Sequence, residues 1–274
     1  MGYGIFSQNP QPPRGKVWFV GSGPGDPDLL TLKAARLIGS ARVIFHDRLV
    51  PEAILALKGP QTRLVDVGKE GFGPSTAQDE INRLIVEHGA GGEIVRLKGG
   101  DPAVFARLEE EIDALEEAGI AWEVVPGITA ASAAVARLGR GLTDRRRNAA
   151  VRILTAHKAE GFAEQDWRSL AEGEIAAIYM GVRAARFMQG RLMAFGADRE
   201  TPVTVVENAS RPGEIVVKTT LADLVDDMNT AGIKGPAVIL WGIAARDVEA
   251  DIPVIEGLKM NGLDILGLDA VRAL

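Results

Sequence analysis

The first candidate for a ligand site is a loop in which three glycines alternate with other residues. The segment GSGPGDP at 21–27 follows an apolar run that ends at residue 20. Glycine permits unusual backbone angles and lets a ligand approach the main chain closely. The GxGxG spacing resembles the dinucleotide fingerprint GxGxxG, but Pro24 and Pro27 have no N–H group to donate to a pyrophosphate. The loop is typical of a site for a ligand without phosphates, and a tight strand-to-helix turn would use the same residues.

A second glycine loop, KGGDP at 98–102, also follows an apolar run and precedes a helical pattern. Gly99 and Gly100 expose backbone amides, and Asp101 adds a carboxylate that can bind a ribose diol or an amino group. Asp101 followed by Pro102 is equally typical of a helix N-cap. The two interpretations are compatible, so this loop is a candidate for both roles.

Three weaker loops also lie next to strand candidates. They are PGITAA at 126–131, YMG at 179–181 and GPA at 235–237. Open α/β sheets bind their ligands at strand-end loops. Five such loops, drawn from both halves of the chain, predict one site across a domain interface.

Short apolar runs alternate with helical patterns and predict the elements that carry these loops. The predicted strands cover 17–20, 43–45, 64–67, 94–97, 122–125, 151–155, 175–180, 203–206, 215–217 and 238–241. This alternation predicts two α/β domains with largely parallel sheets, and the five loops place a ligand cleft between them. We predict a flexible N-terminal lead-in (1–15), an N-terminal α/β domain (16–138), a C-terminal α/β domain (139–248) and a C-terminal tail (249–274).

Composition excludes several kinds of site and partner. The 274 residues include no cysteine and only three widely separated histidines, so we expect no thiolate chemistry and no metal. The net charge of −6 does not favour a nucleic-acid partner. No apolar run approaches the roughly 20 residues of a membrane span, and the lead-in lacks the apolar core of a signal peptide. We therefore expect a cytoplasmic protein that binds neither nucleic acid nor membrane.

The five loops, together with several shorter segments, resemble the tetrapyrrole methyltransferases over about residues 16–246. The matching segments are GSGPGDP (21–27), DRLV (47–50), VGK (67–69), QDEIN (78–82), VRLKGGDP (95–102), VVPGITAA (124–131), LTAH (154–157), YMG (179–181) and GPA (235–237). The resemblance implies a homodimer that binds S-adenosylmethionine between two α/β domains. It also implies two methyl transfers to ring carbons of uroporphyrinogen III, which give precorrin-2 for sirohaem or cobalamin biosynthesis.

Carried over by position, the resemblance implies eleven cofactor contacts. These are Pro24, Gly99, Gly100, Asp101, Val104, Thr129, Ala130, Met180, Ala209, Pro236 and Ala237. It also implies acid/base or substrate-positioning roles for Asp47 and Lys69; a carboxylate can remove the proton that carbon methylation releases. The polyanionic substrate calls for arginines, and Arg107, Arg145 and Arg146 are the candidates, although arginine runs are also typical of solvated surfaces.

Three departures from the family pattern lie on the expected substrate side. The usual Gly-Arg-Gly-Gly reads Ala-Arg-Leu-Glu at 106–109, and Pro74 and Asp144 stand where the family usually has histidine. These departures leave a later corrin precursor open as the acceptor. Two other classes also stay open. A nicotinamide-dependent oxidoreductase would use Asp47 as its ribose acid, and a non-catalytic tetrapyrrole-binding protein would keep the cofactor fold.

Overall fold

The computed structural model describes residues 15–68, 77–158 and 161–246. The predicted tail, and all of the predicted lead-in except Gly15, lie outside these residues. The first half forms one sheet from β1 (Lys16–Gly21), β2 (Val43–His46), β3 (Arg63–Asp66), β4 (Glu93–Lys98) and β5 (Ala121–Val125). Its strand order is β3-β2-β4-β1-β5, and all four pairings are parallel.

Helices cover both faces of the first sheet because its strands alternate their apolar side chains between the two faces. The helices are α1 (Leu32–Ser40), α2 (Glu52–Leu55), α3 (Gln78–Gly91) and α4 (Leu108–Glu117). Phe19 and Phe45 pack with residues of α3 and α4, whereas Val20 and Ile44 pack with residues of α1 and α2.

The strand order places a topological switch between β4 and β1. The chain leaves β1 toward β2 on one side and leaves β4 toward β5 on the other. Such a switch opens a crevice at the carboxyl ends of the two strands, where ligands of doubly wound sheets bind. The two glycine loops follow these two strands, so the topology brings both to the crevice.

The second sheet contains β6 (Val151–Thr155), β9 (Ile175–Tyr179), β10 (Pro202–Glu207), β11 (Ile215–Thr220) and β12 (Ala237–Trp241), in the order β11-β10-β12-β9-β6. The predicted two-part α/β fold is confirmed, but this sheet is mixed rather than largely parallel. Only β6 and β9 pair in parallel, and the other three pairings are antiparallel. The link from β10 to β11 is too short for a crossover helix and forms a hairpin. A further two-stranded hairpin joins β7 (His157–Lys158) to β8 (Gly161–Phe162).

Helices also cover both faces of the second sheet. They are α5 (Ala130–Arg137), α6 (Trp167–Ala171), α7 (Ala185–Ala194) and α8 (Leu224–Thr230). Residues of α6, α7 and α8 share one apolar cluster, while the small side chains of α5 pack on the opposite face. The domain boundary after residue 138 stays a prediction. Helix α5 precedes this boundary, although its side chains pack on the second sheet. In the described part of the chain, no helix is long and apolar enough to cross a membrane.

Candidate functional site

The loops after β1 and β4 meet backbone to backbone at the switch point. The amide of Gly23 donates to the carbonyl of Gly100 at 3.1 Å, and the amide of Gly100 donates back at 2.8 Å. A third loop joins them, because a Cβ added at Gly127 would lie 2.2 Å from the Gly100 carbonyl oxygen. Only glycine permits this approach at Gly127, so three of the five sequence motifs form one joined floor.

Asp101 fastens this floor with its carboxylate. One oxygen accepts the amide of Ala103 at 2.8 Å, and the other accepts the amide of Gly127 at 3.0 Å. The aspartate thus caps the turn that follows it and ties the second loop to the third. Its predicted contact with a cofactor stays a prediction.

A cavity of about 460 Å³ opens above this floor, between the carboxyl ends of strands from both sheets. This volume lies within the usual range of small-molecule sites, which is roughly 300–1,000 Å³. Its wall includes Asp47 and all eleven residues predicted to contact a cofactor. The structure therefore gathers residues that span more than 200 positions of sequence into one site.

A larger and more open hollow of about 970 Å³ lies beside this cavity. The two share Asp101, Val104, Thr129 and Arg211. We assign the ligand to the smaller cavity because residues from all five motifs line it together.

Aromatic side chains close one side of the cavity. The rings of Phe105 and Tyr179 lie 5.4 Å apart. The hydroxyl of Tyr179 accepts the amide of Ala131 at 2.9 Å and lies 2.5 Å from the hydroxyl of Thr129. Tyr179 ends a strand of the second sheet, so these contacts link that sheet to the loop after β5. Neither aromatic residue was predicted individually, although Tyr179 lies within a predicted motif.

Backbone strain concentrates at the same cavity. Among the described residues, five other than glycine have a positive φ, and three of them line the cavity: Phe105 (φ +51), Met180 (φ +55) and Asn208 (φ +53). Such conformations cost about 1–3 kcal/mol each and are retained where surrounding structure imposes them, often at functional sites. Their clustering supports a binding role for this cavity.

Two charged residues that sequence reasoning missed hold the cavity together. Arg211 donates to the carbonyl oxygens of Pro24 and Leu49, both at 2.7 Å, and so joins the second half to the first. Burial lowers the pKa of the Arg211 guanidinium. Buried Glu207 accepts the amides of Lys234, at 2.6 Å, and Gly235. The Glu207 contacts hold the loop that contains the GPA motif at 235–237. A charged residue at the end of an apolar strand is the sequence signal that could have indicated this role.

Asp47 lies at the end of β2 on the cavity wall, where its side chain is 28% exposed. One carboxylate oxygen accepts a hydrogen bond from Nη2 of Arg96 at 2.6 Å. A carboxylate held beside a cavity can orient a ligand or accept a proton from it. Lys69 and Pro74 lie outside the described residues, so the role of Lys69 stays a prediction.

Residues 16–225 match the protein family described as Tetrapyrrole (Corrin/Porphyrin) Methylases. The chain belongs to this family. The Uroporphyrinogen-III C-methyltransferase of Pseudomonas aeruginosa is 42% identical over 236 residues, which are 85% of this chain and 96% of that protein. The siroheme synthase of Gluconobacter oxydans is 41% identical over 235 residues, but they make up 50% of that protein. The chain thus spans about half the length of some curated relatives.

Solved structures of the tetrapyrrole methylase family share the fold. The uroporphyrin-III C-methyltransferase of Thermus thermophilus, solved in complex with S-adenyl homocysteine, is 38% identical with a TM-score of 0.72. The match covers 83% of this chain and 97% of that one. A cobalt precorrin-4 methyltransferase is 29% identical with a TM-score of 0.74, over 83% of this chain and 94% of that one.

The arginines predicted to bind a tetrapyrrole substrate lie elsewhere in this family member. Among the described residues that line the cavity, Arg107, Arg145 and Arg146 are absent. Arg107 forms an ion pair with Glu110 at 2.5 Å. Exposed Arg146 pairs with Asp144 at 3.0 Å and holds the pKa of that carboxyl at about 2. The structure gives Arg145 an exposed position, and the substrate roles of all three stay predictions.

Other basic side chains line the cavity instead. They are His157, Arg183, Arg211 and Lys234. Three come from loops that the motif comparison did not single out, and His157 belongs to the LTAH segment. Neither at this cavity nor elsewhere in the described ranges is a cluster of three or more His, Asp or Glu side chains placed to hold a metal ion.

Proposed function

We propose that the chain is an S-adenosylmethionine-dependent C-methyltransferase that converts uroporphyrinogen III to precorrin-2 by two successive methyl transfers. One observation carries this proposal: Asp47 and all eleven predicted cofactor residues line a single cavity at the topological switch point. The match to a named methyltransferase over 96% of its length adds support. The match covers half of the siroheme synthase, and the proposal assigns this chain no activity of the other half.

The residues present fit a cofactor without a pyrophosphate. The amide of Ser22 donates to Lys98, that of Gly23 to Gly100, and that of Asp26 to the hydroxyl of Ser210. With proline at 24 and 27, this loop keeps few amides for phosphate oxygens. The geometry thus argues against the dinucleotide interpretation and in favour of S-adenosylmethionine.

The proposed cofactor supplies an electrophilic methyl group on a sulfonium centre. The protein supplies position, and placing the two reactants together can account for much of the rate. Gly99 and Gly100 keep the floor open to a ligand, while Met180 and Ala209 offer apolar contact. Thr129, held by Tyr179, adds a polar group at the wall.

Asp47 is the proposed base. Methylation of a pyrrole carbon requires loss of a proton, and the Asp47 carboxylate lies on the cavity wall where it can accept one. Arg96 holds one of its oxygens. Arg183 and Lys234 are cationic groups on the same wall, and His157 adds an imidazole ring there. All three can face the carboxylates of the acceptor.

The reaction itself is the first test. Incubation with uroporphyrinogen III and isotopically labelled S-adenosylmethionine should yield a product that carries two labelled methyl groups, as measured by mass spectrometry. Because the 106–109 segment and Asp144 depart from the family pattern, a singly methylated intermediate is expected to accumulate. Transfer of label to a later corrin precursor, with none to uroporphyrinogen III, would overturn the assigned acceptor and leave only the family assignment.

Assembly as a homodimer and a cytoplasmic location also belong to this proposal, and both rest on the sequence. Sedimentation equilibrium at micromolar concentration should give about twice the mass of one chain. Turnover is then measured in a dilution series that spans the concentrations at which the dimer dissociates. A monomer that keeps full turnover would contradict the dimer as the active form.

A further inference from the structure

We propose that Arg96 and Glu111, with Lys98, are positioning residues that hold the Asp47 carboxylate in one orientation at the cavity wall. This inference rests on the proposed role of Asp47 in methyl transfer. Four charged side chains take part, two cations and two anions, and three of them are buried.

The three buried members occupy a place where apolar residues are usual. Strand β4 lies in the middle of a parallel sheet that helices cover on both faces, and such strands are normally continuously apolar. Arg96 and Lys98 nevertheless point to one face of this strand and are 2% and 1% exposed. Glu111, in the first turn of α4, is 1% exposed and lies opposite them.

Contacts connect these side chains in one chain that ends at the cavity. Lys98 Nζ lies 2.5 Å from Oε1 of Glu111. Arg96 donates to both Glu111 oxygens, from Nε at 3.0 Å and from Nη2 at 3.2 Å. The same Nη2 reaches Oδ1 of Asp47 at 2.6 Å, so the network ends on the proposed base.

The geometry explains why each member is needed. A two-point contact with Glu111 fixes the plane of the guanidinium, which a single contact would leave free to rotate. Lys98 compensates the charge of Glu111, so the charge of Arg96 remains available to Asp47. Nη1 of Arg96 donates to the carbonyl of Leu97 at 3.2 Å and fixes the guanidinium to its own strand.

The electrostatic directions agree with this arrangement. Although burial opposes it, the neighbouring Asp47 and Glu111 carboxylates raise the pKa of Arg96. Burial, and then the charge of Arg96, lower the pKa of Lys98. Burying unpaired charges is costly, and apolar residues of similar size often stabilise a core equally well. A purely structural role therefore does not account for the network, whereas its direct contact with Asp47 does.

A double-mutant cycle tests the inference. The variants are Arg96→Lys, Asp47→Asn and the two combined, with Arg83→Lys as the matched control. Arg83 is an exposed arginine of α3 that pairs with Glu80 and Glu87. Arg96→Lys keeps the charge but loses the planar guanidinium that contacts both Glu111 oxygens, so kcat should fall at least about tenfold. S-adenosylhomocysteine affinity should stay within about twofold, because the side-chain hydrogen bonds of Arg96 in the described structure reach Glu111, Leu97 and Asp47 rather than a predicted cofactor contact.

Coupling decides between positioning and structure. If Arg96 acts through Asp47, Arg96→Lys causes no further loss of kcat in the Asp47→Asn background. Equal losses in both backgrounds would overturn the inference. Should Arg96→Lys fail to fold by circular dichroism, Glu111→Gln takes its place in the same cycle, and the same two outcomes apply.

A readout without turnover separates this inference from the proposed function. The carboxyl-carbon NMR signal of Asp47, assigned by its loss in Asp47→Asn, should move in Arg96→Lys and stay in place in Arg83→Lys. An unmoved signal in Arg96→Lys would reject positioning even if methyl transfer is found. If the Asp47 signal moves in Arg96→Lys but the parent protein transfers no methyl group, only the proposed function is rejected.

Discussion

Replacing Asp47 with asparagine is expected to lower the rate of methyl transfer about 10²- to 10⁴-fold, the range typical of losing a general base. The amide keeps the shape of the side chain and can still accept a hydrogen bond from Arg96, which now lies 2.6 Å from Oδ1. It cannot accept the proton that the macrocycle loses after a ring carbon is methylated. The measurements are kcat with labelled cofactor and S-adenosylhomocysteine affinity by calorimetry, and the affinity should change little.

Asp113 provides the matched control for this variant. It is an exposed residue of α4 and does not occur among the described residues that line the cavity. Asp113→Asn should keep turnover within about twofold of the parent, since exposed polar changes have small effects. Loss of cofactor affinity in Asp47→Asn, parallel to its loss of turnover, would assign Asp47 a structural role instead.

Replacing Gly100 with valine is expected to abolish binding of S-adenosylhomocysteine. Gly100 has a φ of +70, and a Cβ added there meets no atom within 4 Å because it faces the open cavity. A valine side chain would therefore occupy the ligand's space. It would also strain the loop by about 1–2 kcal/mol, since a left-handed conformation suits glycine. Calorimetry measures the loss, and the parent should show no comparable binding of NAD.

Gly196 separates occlusion from strain. It follows α7, has a φ of +83, and an added Cβ likewise meets nothing within 4 Å. Among the described residues that line the cavity it does not occur. Gly196→Val carries a similar backbone cost and should bind S-adenosylhomocysteine as the parent does. Undiminished binding in Gly100→Val would instead remove this loop from the cofactor site.

Local pattern was enough to place the strands of both sheets. All ten predicted strands occur, because each is a short apolar run bounded by turn residues. The pattern did not reveal the pairing direction in the second sheet. Pairing depends on how segments far apart in sequence come together, and the only local signal was the short link between β10 and β11.

Part of the cavity wall was predictable because its residues lie on loops with their own signatures. Gly99, Gly100 and Asp101 belong to a motif whose glycines are required by backbone contacts, and those contacts are present. Arginines carry no such signature. A long cation on the surface can reach several neighbours, and Arg107 and Arg146 contact Glu110 and Asp144 nearby in sequence.

The amino-acid pattern alone therefore established the α/β class, the strand-end loops and the family. It did so because glycines, prolines and apolar periodicity act over a few residues, within the range of local sterics. The folded chain added the contacts between distant side chains. Arg211 joins loops more than 150 residues away, and Arg96 reaches both Glu111 and Asp47. The Arg211 contacts depend on how the two halves of the chain meet. The Arg96 contacts depend on how β2, β4 and α4 pack together in the first half. Neither arrangement follows from any local run of residues.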